Sequence, residues 1–166
     1  ISVGTISNPC KTVAHVVASV SGKKGQKIFL KPGVHQAQNL RISMLGVAFE
    51  STSGPTVTFF DCNGLTCFNT KADVFTDGAG NRETNLYFPA LLKGITFSNA
   101  SSSIVIGIPQ SESTWARLES RVEIENCRFE NNSILLATNV ETYNGAAISV
   151  YNSENVTIKD SVFINN

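Results

Sequence analysis

Charge is scarce in this chain and neither sign prevails: Asp, Glu, Lys and Arg make up 16% of its 166 residues, thirteen bases against thirteen acids. Beyond Lys23-Lys24-Gly-Gln-Lys27 there is no basic cluster. The electrostatic footprint of a nucleic-acid binder is therefore missing, and nucleic acid is not expected as a partner. No run approaches the roughly 18 apolar residues of a membrane span, so no membrane insertion by this segment is expected, and no charged-then-apolar signal segment opens it. Also lacking are a C-x-x-C pair, a Gly-x-Ser-x-Gly elbow, a phosphate loop and a nucleotide fingerprint.

What is present is Ser, Thr, Asn and Gly in abundance beside enough apolar residues for a folded domain. One short phrase returns three times with its phase intact: Leu92-Lys-Gly-Ile-Thr-Phe97-Ser-Asn99, Glu125-Asn-Cys-Arg-Phe129-Glu-Asn-Asn132 and Lys159-Asp-Ser-Val-Phe163-Ile-Asn-Asn166. Each reads as a short alternating strand closed by Phe-x-Asn, and the phenylalanines lie 32 and 34 residues apart. A strand-bearing period of roughly 20–50 residues marks a solenoid, whose unit cannot bury its apolar face alone and stacks on its copies.

The first 25 residues read differently. Asn8-Pro9 has the pattern of an N-cap and first helical proline, and Val13, Val16, Val17 and Val20 form an i, i+3, i+4, i+7 stripe ended by Gly22. A helix over 9–21 is predicted, laid as a lid across the first coil. His15 faces away from the stripe, as a solvated residue. From residue 26 to 166 the period is two. Lys27–Leu30, Asn39–Ser43, Gly46–Phe49 and Thr56–Phe60 read as strands between Lys-Pro-Gly, Met-Leu-Gly and Ser-Gly-Pro punctuation.

Further on, Ile104–Ile108, Arg121–Ile124 and Arg128-Phe129 would make one coil, and Gly145–Val150, Asn155–Ile158 and Ser161–Phe163 the next. Loops are expected near 69–90 and 109–120. The predicted fold is all-β: a single-stranded parallel β-helix whose coils rise by about 4.8 Å. In it Phe97, Phe129 and Phe163 stack as an aromatic ladder inside the coil. Asn99, Asn131 and Asn165, or the neighbours Asn132 and Asn166, form an asparagine ladder at a turn. Amides and rings in register support such stacks.

The cysteines Cys10, Cys62, Cys67 and Cys127 are an even set without metal spacing. Cys62 and Cys67 enclose the turn-rich Asn-Gly-Leu-Thr and are a candidate disulfide, although four cysteines allow three pairings. Cys127 is expected to fill a small inward strand position. Asn99-Ala-Ser, Asn131-Asn-Ser and Asn155-Val-Thr are N-glycosylation sequons, with Asn131 and Asn155 where turns are expected. Together these features suit an extracellular or cell-surface protein.

The final 80 residues, with Gly145-Ala-Ala-Ile148 and the Phe-x-Asn-Asn phrases, resemble the right-handed parallel β-helix repeats of the polymorphic outer-membrane proteins of chlamydiae. The amino-terminal half, through Lys27-Ile-Phe-Leu-Lys-Pro-Gly-Val-His35, resembles the start of pectate-lyase-like β-helix proteins, with His35 where an aromatic is usual. Similar chains occur among large secreted proteins of microbial eukaryotes. The resemblance implies a right-handed coil and names no chemistry. The Asp-Asp, Gly-His-Gly and Arg-x-Lys phrases of pectin-cleaving hydrolases are absent, as are the acidic calcium cluster and catalytic arginine of pectate lyases.

Three places invite a functional reading. Glu123 and Glu125 share a strand face with Asp160 one coil on, an acidic patch or an ordinary solvated surface. Asp73, Asp77, Asn81 and Glu83 surround glycines and suit calcium weakly, with Arg82 among them and a spacing unlike the twelve-residue calcium hand. Trp115 and Arg117 sit on an inserted loop, where the indole either stacks on a sugar or partner or folds back over the coil.

The leading expectation is a non-enzymatic structural or adhesive module of a larger surface protein or filament, with no required cofactor. Its partners would be further coils beyond residue 166, neighbouring subunits, and glycans. The alternatives are a polysaccharide lyase or glycoside hydrolase, and a glycan- or protein-binding module.

Overall fold

The computed structural model describes residues 10, 12–20, 25–41, 47–70, 90–106, 118–133, 146–150 and 153–166. Its helix, α1, spans Val13–Val20 and not 9–21, since Cys10 and Thr12 are not helical. The cap falls on Thr12, whose hydroxyl accepts the His15 N–H at 3.3 Å, the third helical amide. Val13 and Val20 are buried and Val16 and Val17 pack against the same core, so the valine stripe faces the domain.

The rest of the fold is strand, in three parallel sheets. The first sheet holds β1 (Lys27–Leu30), β4 (Ala48–Ser51), β7 (Ala90–Lys93), β10 (Leu118–Glu125) and β13 (Ser153–Lys159). The second holds β2 (Gly33–Gln36), β5 (Thr58–Asp61), β8 (Thr96–Ser98), β11 (Arg128–Glu130) and β14 (Val162–Ile164). The third holds β3 (Leu40–Arg41), β6 (Phe68–Thr70), β9 (Ile104–Ile106) and β12 (Ile148–Val150). Among the described residues each strand pairs in parallel with the strand three places along the chain. Parallel neighbours need a crossover. Here each crossover is made of the other two sheets' strands, so the chain visits the sheets in turn and each circuit lies beside the last.

Register turns this topology into columns. Ile28, Phe49, Leu92, Ile124 and Ile158 align across the first sheet. His35, Phe60, Phe97, Phe129 and Phe163 align across the second, and Leu40, Phe68, Ile104 and Ile148 across the third. One residue from each column meets its counterparts within a circuit. In the second circuit all three are phenylalanine, Phe68 lying 5.2 Å from both Phe49 and Phe60 between ring centres. Every member from the second to the fourth circuit is buried except half-buried Ile148.

The repeated phrase is two strands with a corner inside it, which corrects its reading as one. Gly94, Asn126 and Asp160 take φ of 68°, 49° and 48° between β7 and β8, β10 and β11, and β13 and β14. That left-handed conformation breaks an extended strand and is open to glycine and, at modest cost, to Asn and Asp. A second column of left-handed residues, Asn99, Asn131 and Asn165 at 54°, 54° and 51°, turns the chain out of the second sheet.

Candidate functional site

The aromatic column of the second sheet is the longest ordered array in the molecule. Phe97 and Phe129 stack at 5.0 Å, and Phe129 and Phe163 at 4.9 Å, each pair within 8° of parallel. Below Phe97 the geometry changes to edge-to-face contacts with Phe60 at 5.7 Å and of Phe60 with His35 at 6.0 Å. His35 stands at the column's foot, with its Nε2–H donated to the Lys31 carbonyl at 2.8 Å. Phe163, expected inside, is 48% exposed, because β14 is the last strand of its sheet.

The two candidate asparagine series have separate tasks. Asn99, Asn131 and Asn165 supply corner backbone. The hydrogen-bonded amide ladder lies one residue later, on Asn132 and Asn166, where the placement at Asn99, Asn131 and Asn165 is corrected. Asn132 is buried: its Oδ1 accepts the Ala100 N–H at 3.0 Å, and its Nδ2 donates to Phe97 O at 3.2 Å and to Asn166 Oδ1 at 2.7 Å. Asn166 repeats the pattern one circuit on, with Nδ2 donated to Phe129 O at 2.9 Å and Oδ1 accepting the Asn132 N–H at 3.3 Å. The doubled Asn-Asn in the second and third phrases carried this signal. A left-handed backbone excludes a residue from the ladder's inward position, so one asparagine turns the chain while the next one bonds.

A charge column that single-strand reading did not find crosses the first sheet. Glu50, Lys93, Glu125 and Lys159 stand in register with alternating sign. Lys93 Nζ and Glu125 Oε1 are 2.9 Å apart, and that hydrogen bond and charge, with Glu50 behind them, raise the Lys93 pKa. On the second sheet Arg128 and Glu130 pair at 2.6 Å. Asp61 accepts from Gln36 Nε2 at 3.0 Å, the Asn63 N–H at 3.1 Å and Asn99 Nδ2 at 3.4 Å. The Gln36 bond does most to hold its carboxyl below the ordinary value.

Of the candidate acids, Glu125 is thus engaged with Lys93, Glu123 is exposed opposite Leu91 and Thr157, and Asp160 forms a corner. The calcium candidates Asp73, Asp77, Asn81 and Glu83 and the loop residues Trp115 and Arg117 lie outside the described residues. Among those described, no group of three His, Cys, Asp or Glu side chains is placed to hold a metal, and no helix is long and apolar enough to cross a membrane.

Cys62 and Cys67 are joined as a disulfide, closing the Asn-Gly-Leu-Thr loop across 5.0 Å between Cα atoms. Asn99 and Asn131 are exposed at the corners, whereas Asn155, expected in a turn, lies exposed on β13 opposite Arg121. Cys127 occupies the corner after β10 and not a strand position, buried with its thiol 3.4 Å from the carbonyls of Leu92 and Glu125. Burial pushes the Cys127 pKa from 9.0 up to about 11, against the backbone hydrogen bonds around it.

The folded thiol keeps its proton to a higher pH than the unfolded one, so its contribution is complete below about pH 9 and lost as pH rises through about 11. That difference is worth roughly 2–3 kcal/mol. At pH 8 Cys127 is therefore expected to resist an aromatic disulfide reagent in the native chain and to react on denaturation. Measured on a Cys10→Ser background, native-state labelling at the rate of an exposed thiol would contradict the burial.

No family model matches the chain, and the searches of curated proteins and of solved structures also give no match.

Proposed function

We propose that this chain is a right-handed single-stranded parallel β-helix with a short N-terminal capping helix, and that it serves as a non-enzymatic structural or adhesive module of a larger extracellular protein or filament. The observation that carries this reading is the investment of its side chains in self-matching columns. Aromatic rings, amides and charges repeat from circuit to circuit and are spent on one another. Such an array stores stability in neighbour contacts and lengthens without new design, which suits a spacer or filament.

Right-handedness follows from the strong preference of parallel crossovers for that hand. The apolar face of α1 against the domain agrees with a cap over the first circuit. Three sequons on exposed asparagines and one closed disulfide support an oxidising, extracellular setting. The likeness of the repeated phrases to outer-membrane and pectate-lyase-like β-helix repeats points the same way.

Glycoside hydrolysis needs two carboxylates facing one site, roughly 5–9.5 Å apart. Here Glu125 is paired with a lysine and Asp160 is used as a turn, which disfavours that chemistry on the described faces. The test is the purified chain against a panel of neutral and acidic polysaccharides, followed by reducing ends and unsaturated sugars. No release above the buffer blank is expected. Catalytic turnover on any member would replace the structural reading with a carbohydrate-active one.

A further inference from the structure

We propose that the face bounded by β12, β13 and β14 is a docking surface for one strand-forming segment of a partner polypeptide, and that the columns ending there specify its sequence. The segment reads, in order: an acidic residue, Asn, Asp or Gly, two residues of any kind, Phe, one further residue, Asn and Asn. This rests on the structural-module reading and adds to it what the module binds.

Three independent columns agree on that phrase. Along the first sheet the signs run Glu50, Lys93, Glu125, Lys159, so the position after Lys159 calls for an acid. Directly opposed charges of opposite sign favour a strand pair and like charges oppose it. Along the second sheet Phe97, Phe129 and Phe163 stack face to face, and Phe163 shows 48% of its surface where Phe129 shows none. Ile158 in the neighbouring column is 44% exposed where Ile124 is buried. An aromatic ring at the usual spacing covers both.

The amide ladder supplies the third constraint. Asn132 reaches back to Phe97 O while accepting from Ala100 N, and Asn166 reaches back to Phe129 O while accepting from Asn132 N. The same step taken once more brings an asparagine amide to Phe163 O and its oxygen to Asn166 N. Backbone pairing along β13 and β14 gives such a segment affinity, and the three columns give it specificity.

The probe is a fluorescein-labelled peptide copying residues 121–133 with Cys127→Ser, titrated with the 166-residue chain by anisotropy. Saturable binding is expected. In the peptide, Asn132→Ala should weaken it about tenfold and Glu125→Lys about three- to fivefold. The decisive arm is charge exchange: Lys159→Glu in the protein should prefer the Glu125→Lys peptide over the parent peptide.

A scrambled peptide that binds as well, or a charge exchange without reversal, would overturn the proposal. So would concentration-dependent self-association abolished by Phe163→Asp, since the occupant would then be a second copy. A folded chain that binds no peptide removes this inference alone, whereas sugar release removes the structural reading beneath it.

Discussion

Phe129→Asp is expected to unfold the third to fifth circuits, while Phe163→Asp, on the next strand of the same column, leaves the chain folded. Phe129 has no exposed surface and stacks between two rings at 5.0 and 4.9 Å. Removing a buried phenylalanine costs about 3–5 kcal/mol, and leaving an uncompensated carboxylate in the resulting space adds several more. Domains are stable by only about 5–15 kcal/mol in total. Phe163 is half exposed, so its replacement should cost about 1–2 kcal/mol, in proportion to the area it hides.

Stability in a stacked array is held locally, between neighbours. The second circuit has its own aromatic triangle of Phe49, Phe60 and Phe68 and a disulfide beside it. Amide exchange should accordingly collapse over β10, β11 and their neighbours in Phe129→Asp while persisting over β4 to β6. Uniform protection indistinguishable from the parent would mean that Phe129 is not in a sealed core. Equal damage from both substitutions would mean that the last circuit is as well covered as the fourth.

The later circuits were legible because their phrases repeat with little interruption, from Phe97 to Phe129 to Phe163. The earlier ones were not. Phe60 precedes Phe97 by 37 residues and follows His35 by 25, so no fixed period links them, and a histidine at the foot of an aromatic column carries no repeat signal. β2 fell within Lys-Pro-Gly punctuation, and β6 and β7 have too few residues to show alternation.

Corners were misread for a physical reason. A single left-handed Asn126 or Asp160 interrupts a strand without any change in hydrophobic pattern, so the phrase looks continuous until its φ angles are known. Likewise the charge column requires strand register, because Glu50, Lys93, Glu125 and Lys159 are far apart in sequence and meet only when each circuit is aligned on the next.

The sharpest consequence of this corner geometry is an opposite response of two adjacent asparagines, measured in unglycosylated protein. Asn131→Gly should be neutral within about 1 kcal/mol, since φ of 54° suits glycine and the small entropy cost offsets the relieved Cβ strain. Asn132→Gly should cost about 3 kcal/mol or more, because it strips partners from the Ala100 N–H, the Phe97 carbonyl and the Asn166 amide together. Each buried polar group left unpaired costs about 1–3 kcal/mol. Asn132→Asp keeps the acceptor for Ala100 but loses the donor and buries a charge, so it should fall no higher than Asn132→Gly. Denaturant midpoints rank the three variants directly. If Asn131→Gly proved the most damaging, the ladder would run through Asn99, Asn131 and Asn165 after all, and the division between turning and bonding asparagines would fail.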